Sequence, residues 1–359
     1  MDALYKLEPK VEILFIGLGN DVEKKLVSSY AFEYKTITAG KFRRYGRSLS
    51  GELADIKTSG QNLADVAKIS RGYLQAKKIL KRFKPNVVFT KGGFVTVPVG
   101  LAADHLKIPL IIHDSDAVFG MSSKILAKRA QKIATGFPES AFSNYAYVDK
   151  IVFTGNPVRK ELLTVNPAKA KSTFGFNNTK PTVFIFGGSQ GAAAINQVVF
   201  DGLELILKNY NIIHHTGSQG IEQARVAAHQ LSGGVGLNYR PYDFLQAEMA
   251  EALFVANLAI IRASASSIAE VAAHSKPTII IPNPNSANQH QQVNAEFVEK
   301  LGAARVLDQK DLTPIRLCSE IDKILSNKKA KDYLQTNIHE LWVPDAAQRV
   351  ATLILRAGE

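Results

Sequence analysis

Three stretches of this chain carry residue types whose chemistry suits a phosphorylated ligand. The first is FIFGGSQGAAAINQVV. An apolar run ends at Phe186, Gly187, Gly188 and Gly191 supply a turn with no Cβ in the way, and a helix is expected from about Ala192. A glycine turn that feeds a helix N-terminus points unpaired N–H groups and the positive end of the helix dipole at an anion such as a diphosphate. Ser189 adds a hydroxyl donor. The spacing is neither the dinucleotide G-x-G-x-x-G nor a Walker loop. A plain strand–helix turn without ligand would read the same way.

The second stretch is IIRASASSIAEVAAHSKPTIIIP, in which small residues from Ala263 to Ser267 open a helix after a strand ending near Arg262. Glu270 falls in the first turns of that helix, where a carboxylate can accept two hydrogen bonds from a ribose diol. It would equally complement the helix dipole. The third, PNPNSANQHQQVNAEFVEKLGAA, places His290, Gln291, Gln292 and Asn294 at a helix start after Pro282 and Pro284. Amide side chains both donate and accept, which suits sugar hydroxyls, although ordinary helix capping uses them too. All three stretches follow strand-like runs, and ligands of open α/β sheets bind at the carboxyl ends of strands.

The elements that must position these residues are legible as short apolar runs rich in Val and Ile. VEILFIG, NVVFT, PLIIH and KIVFTG occupy the first half; PTVFIFGG, NIIHHTG, LAIIR and PTIIIP occupy the second. Such runs, closed by Gly, Pro or polar residues and separated by helical stretches, read as parallel strands buried on both faces. The expected fold is α/β: two doubly wound, Rossmann-like domains facing a cleft. The polar, proline-bearing stretch from Asn156 to Lys180 marks the boundary. Domains are expected at 1–157 and 158–343, with a C-terminal helix over 344–359 that packs back toward the first domain.

Bulk properties agree with a globular protein. The chain has 359 residues, 46% of them hydrophobic and 21% charged. That length suits two domains of ordinary size. No apolar run approaches the ~18 residues of a membrane-spanning helix, and MDALYKLEPKVEILF lacks the order of a signal peptide. The lone Cys318 excludes an intramolecular disulfide. A net charge of +12 favours anionic partners. Ile69, Tyr73, Ala76, Leu80 and Phe83 draw one apolar stripe on a helix, flanked by Lys77, Lys78, Lys81, Arg82 and Lys84. Most of that stripe reads as the core face of the helix. Ile79 and Phe83, with Lys78, Lys81 and Arg82, are the candidates for contact with an anionic bilayer.

With these residues in hand, the chain resembles the MurG family of N-acetylglucosamine transferases over nearly its whole length. KGGFVTVPVGLAADHLKIPLIIHDSDAVFGMSSKIL is similar to the family's GGY-V-S-x-P, IP and H-E-Q-N-x-x-x-G stretch. TGNPVRKE is similar to G-N-P-V-R, GGSQGAAAIN to G-G-S-Q-G-A-x-x-x-N, and RASASSIAE and HQQVNA to the donor-site helices, while PDAAQRVA resembles the C-terminal segment. The resemblance implies a GT-B fold and donor contacts at Arg159, Gly188, Ser189, Gln190, Ser266, Glu270, Gln291 and Gln292. It implies an acceptor-diphosphate turn at Gly92 and Gly93, and a histidine beside the cleft, His113, as the candidate catalytic base. A strand-end histidine is more often a satisfied structural residue than a base.

The implied reaction is inverting transfer of N-acetylglucosamine from UDP-N-acetylglucosamine to undecaprenyl-diphosphoryl-N-acetylmuramoyl-pentapeptide (lipid I to lipid II) in peptidoglycan synthesis. A role in cell shape and division would follow. The expected partners are those two substrates, the anionic inner leaflet and cell-wall synthesis proteins, with no nucleic acid. The expected location is the cytoplasmic side of the membrane, held peripherally. No cofactor or obligatory metal is expected, since no D-x-D motif sits at a strand end.

Two departures are visible. The family's H-E-Q-N reads His113-Asp114-Ser115-Asp116, which puts an acceptor-only carboxylate where an amide is expected. The family also opens on a strand and a G-G-T-G-G-H loop, whereas ALYKLEPK reads as the end of the first helix and VEILFIG as the second strand. A chain without that first glycine loop is expected to bind donor better than it transfers. The alternatives are a related UDP-sugar transferase with another lipid or polysaccharide acceptor, a UDP-N-acetylglucosamine 2-epimerase, or an inactive nucleotide-sugar-binding protein.

Overall fold

The computed structural model describes residues 1–28, 30, 32–40, 56–188, 192–231, 235–246 and 248–359. It divides into two compact units. One comprises Met1–Ser115, Phe119–Thr154 and Ala347–Glu359; the other comprises Asp116–Val118 and Gly155–Ala346. Among the described residues no helix is long and apolar enough to cross a membrane.

The first unit contains β1 (Leu14–Gly17), β2 (Glu33–Thr36), β3 (Val88–Thr90), β4 (Leu110–Asp114), β5 (Lys132–Thr135) and β6 (Ile151–Phe153). They form two parallel sheets, β1-β2 and β3-β4-β5-β6. The division leaves a mark on burial. β4 is buried along its whole length, as the apolar run Leu110–Ile112 predicts for a central strand, and it carries His113 and Asp114 buried at its end. Leu14, Phe15 and Ile16 of β1 are no less apolar, yet they are only half-buried. Phe89 of β3 is 39% exposed. The C-terminal helix Ala346–Gly358 lays Val350, Ile354 and Ala357 against Ile111 of β4, with Leu4 and Val87 beside them.

The second unit contains β7 (Thr182–Phe186), β8 (Asn211–His215), β9 (Tyr239–Tyr242), β10 (Leu258–Ile261), β11 (Thr278–Ile280) and β12 (Arg305–Val306). Their order is β12-β11-β10-β7-β8-β9, and every pairing is parallel. Strand runs that step outward in both directions from β7 and β10 make a doubly wound sheet, whose order reverses between those two strands. The core on one face joins Val183, Ile185, Ile212, Leu258 and Ile260 of the sheet to Ile195, Val199, Leu203 and Ile206 of helix Ala193–Leu207. Leu317, Ile321 and Ile324 of helix Pro314–Leu325 complete it.

Candidate donor and acceptor sites

In the second unit, the candidate residues follow the carboxyl ends of β7, β10 and β11, three consecutive strands of one sheet. After β7 the chain passes through Gly187 and Gly188 before helix Ala193–Leu207. Gly188 sits at φ +89, a left-handed conformation that favours glycine, and a Cβ built on it would meet nothing within 4 Å among the described residues. The backbone there is open to a ligand's close approach. Ser189 and Gln190, the other donor candidates of this turn, lie outside the described residues.

After β10, Ser264 caps helix Ala265–Ala273 by accepting from the Ser267 N–H at 3.2 Å. Its hydroxyl donates to Ser267 Oγ at 2.8 Å. This pairing stiffens the turn and leaves Ser266 exposed at the surface. Glu270 lies further along the same helix. Burial pushes its carboxyl up to about 7, and the Arg159 guanidinium draws it back down. Arg159 is exposed and stands at the N-cap of the short helix Lys160–Leu163. Beneath this turn Arg262 is buried, and its guanidinium donates to the Ile281 and Pro282 carbonyls at 3.1 and 3.2 Å and to Gln309 Oε1 at 2.7 Å. Burial lowers its pKa to about 10, so it remains a cation at neutral pH.

After β11, Asn288 and Gln289 take left-handed φ values of 54 and 53 immediately before helix His290–Lys300. Gln291 Oε1 accepts from the Asn283 N–H at 2.9 Å, which fixes the side chain and leaves its amide protons for a ligand. Gln292 donates to Glu296 at 3.0 Å. Asn294, fully buried, donates to Asp116 Oδ1 and to the Ala263 carbonyl and accepts from the Ala117 N–H. The structure therefore brings Arg159 and Glu270 into electrostatic contact. It also joins the Glu270 and Gln291 helices at their starts through Asn294.

In the first unit, β3 runs into Gly92 and Gly93 at φ +78 and +84, ahead of helix Thr96–His105. A Cβ at Gly93 would meet nothing within 4 Å. Burial lowers the pKa of Lys91, next to this turn. His113 lies on the neighbouring strand β4, only 1% exposed. Asp114 beside it accepts from the Gly120 N–H at 2.9 Å. Lys78, Lys81 and Arg82 are exposed on helix Ile56–Phe83, where Ile79 and Phe83 are partly buried.

Sequence reading missed the hydrogen-bonding roles of Asn196 and Arg262 and the join between Asn294 and Asp116. Asn196 donates to the Thr216 carbonyl at 2.8 Å and joins its Oδ1 to His214 Nε2 at 3.0 Å. Each is a polar residue that ties loops together across long sequence separations, so no local spacing announces it.

Comparison with known proteins follows the same division. The glycosyltransferase family 28 N-terminal domain matches residues 1–135, and the family 28 C-terminal domain matches residues 182–350. A UDP-N-acetylglucosamine–N-acetylmuramyl-(pentapeptide) pyrophosphoryl-undecaprenol N-acetylglucosamine transferase of Bacillus pumilus is 37% identical over 350 residues, covering 97% of this chain and 92% of the relative. The protein of that name from Clostridium tetani is 34% identical over 89% of this chain and 83% of its own length. Among solved structures, Acinetobacter baumannii MurG aligns with TM-score 0.74 at 24% identity over 99% of this chain and 94% of that one. A UDP-GlcNAc 2-epimerase of Neisseria meningitidis aligns with TM-score 0.63 at 12% identity, over 99% and 96%. At these identities the structural likenesses speak for the fold alone, a two-domain α/β fold of the GT-B type. The sequence relatives speak for more: this chain belongs to glycosyltransferase family 28 and, within it, to the UDP-N-acetylglucosamine–N-acetylmuramyl-(pentapeptide) pyrophosphoryl-undecaprenol N-acetylglucosamine transferases, the MurG family.

Proposed function

We propose that the chain transfers N-acetylglucosamine from UDP-N-acetylglucosamine to an undecaprenyl-diphosphoryl-N-acetylmuramoyl-pentapeptide, with inversion at the anomeric carbon. The observation that carries this reading is a largely buried Glu270 carboxyl, within electrostatic reach of Arg159, on the helix that follows β10, the strand paired with β7 and its Gly188 turn. Relatives of which this chain covers 92% and 91% carry the matching name.

Glu270 accepts the ribose hydroxyls. The Gly187–Gly188 backbone, the N-terminus of helix Ala193–Leu207 and the Arg159 guanidinium take up negative charge as UDP leaves. Gln291 offers its amide protons to the sugar, with Ser189, Gln190, Ser266 and Gln292 as further donor contacts. The muramoyl 4-hydroxyl attacks the opposite face of the anomeric carbon. His113 receives its proton, and burial means the residue must gain access to the acceptor before it can do so. Gly92 and Gly93 cradle the acceptor's diphosphate. Because Arg159 and backbone dipoles supply the positive charge, the reaction runs without an obligatory metal. The acceptor's lipid tail keeps the chain at the cytoplasmic face of the membrane, where Lys78, Lys81 and Arg82 meet anionic headgroups. Cell-wall synthesis proteins are its expected neighbours.

The test is direct. Purified chain is incubated with radiolabelled UDP-N-acetylglucosamine and a lipid I analogue, with and without EDTA, and the lipid product is counted. Label should enter lipid equally in both. Conversion of UDP-N-acetylglucosamine to its 2-epimer without acceptor would favour epimerase chemistry, which the shared architecture also allows. Binding without product would leave a nucleotide-sugar binder.

A further inference from the structure

Asn294 sits at a junction of three loops, yet it points its amide at none of the groups assigned to the donor. Its Oδ1 accepts from the Ala117 N–H at 2.7 Å, and its Nδ2 donates to Asp116 Oδ1 at 2.8 Å and to the Ala263 carbonyl at 3.0 Å. Both amide protons are therefore used, and the side chain is 0% exposed. The partners come from two further segments of the chain. Ala263 precedes Ser264, the cap of the helix that carries Glu270. Asn294 itself lies three residues after Gln291, on the same helical face. Asp116 and Ala117 come from the connection between β4 and helix Met121–Leu126, and they pack with the second unit.

A buried amide with every proton committed has one rotamer that satisfies its partners, and a shift of any of the three loops breaks at least one bond. Bonds to a carboxylate are the stronger kind, and leaving a buried partner unmatched is costly. We infer that Asn294 is a positioning residue for donor binding: its amide locks the 116–118 loop, the start of the Glu270 helix and the Gln291 helix into one arrangement, with the Asp116 carboxylate as the acceptor half of the join. The inference rests on the reading of Glu270 and Gln291 as donor contacts. It also gives the carboxylate at 116 a purpose, since a group that only accepts is the complement of the Asn294 amide protons.

The experiment measures calorimetric Kd for UDP-N-acetylglucosamine and the melting temperature in the full chain and three variants. Asn294→Asp sets two carboxylates against each other and removes the donor to Ala263. Its Kd is expected to rise about tenfold to a hundredfold, the range for losing a charge-assisted bond. Asp116→Asn keeps an acceptor oxygen for Asn294 and should stay within about threefold of wild type. The double variant Asn294→Asp/Asp116→Asn reverses the join's polarity, so it relieves the carboxylate repulsion though not the loss at Ala263, and should bind clearly tighter than the single variant, a rescue that general destabilisation does not produce. Should Asn294→Asp alone fail to fold, the double variant decides: a folded protein with Kd within about tenfold of wild type supports the inference. A double variant as weak as the single, or a folded Asn294→Asp variant that binds like wild type, overturns it. A wild-type chain that fails to bind UDP-N-acetylglucosamine overturns the donor reading as well.

Discussion

Glu270 offers the sharpest quantitative test of the donor site. With its carboxyl held at about 7 by burial, roughly half of the free protein carries a proton there at pH 7. A ribose diol that donates two hydrogen bonds favours the carboxylate, so the complex holds Glu270 ionised. Binding UDP-N-acetylglucosamine at pH 7 must then release about 0.5 proton, rising toward about 0.9 at pH 6 and vanishing by pH 9. The nucleotide sugar's own diphosphate does not titrate in this range, so the protons come from the protein. Calorimetric titrations in two buffers of different ionisation enthalpy read the number directly. Apparent affinity should weaken as pH falls below 7, approaching tenfold per pH unit. Glu270→Gln should abolish the buffer dependence and cost ~1.5–3 kcal/mol, or about 10- to 150-fold in Kd. Binding at pH 7 with no proton release, together with a Gln variant of wild-type affinity, would refute the assignment.

Three further outcomes are expected. Burial, and secondarily the neighbouring His215, lowers the His214 pKa from 6.5 to about 3, so the unfolded chain takes up a proton there that the folded chain refuses. Its contribution to stability is whole above pH 6.5 and is lost as pH falls toward 3; urea unfolding should show ~2 kcal/mol less stability at pH 5 than at pH 7, and His214→Gln should flatten that slope. Arg262→Lys cannot span the Ile281 and Pro282 carbonyls and Gln309 together, and should cost about 2 kcal/mol in denaturant unfolding; an unchanged midpoint would show the fork to be dispensable. Reversing Lys78, Lys81 and Arg82 to Glu should cut sedimentation with anionic vesicles by at least tenfold, since each near-surface cation contributes about 1 kcal/mol; equal sedimentation would place membrane contact elsewhere.

Eight of the strands were readable from the sequence because each is a run of apolar, mostly β-branched residues. The four that were not are instructive. β2 (EYKT), β9 (YRPY) and β12 (RV) lie at sheet margins, where polar side chains reach solvent and the apolar signal fades. β5 (KIAT) is interior, but Ile133 is its one large apolar residue, so no apolar run marks it. Glycine turns after β3 and β7 were legible because glycine is the residue that positive φ demands, as Gly92, Gly93 and Gly188 bear out. Residues whose work is to bridge loops left no such trace. Asn294 and Asp116 are 178 positions apart, and nothing in either's neighbourhood names the other. Arg262 and Asn196 were invisible for the same reason: their partners are carbonyls and amides brought close only by the completed sheet.

The two separate sheets of the first unit carry one more implication. β1 and β3 each have a single neighbour among the described residues, and the side chains of β1 and Phe89 are unusually wet for such greasy segments. A strand flank of that kind is a template on which a stray extended peptide, or the same flank of another molecule, can zip in register. Self-association by strand addition, if it occurs at high concentration, is expected to start from such a flank, and light scattering across a concentration series would show it.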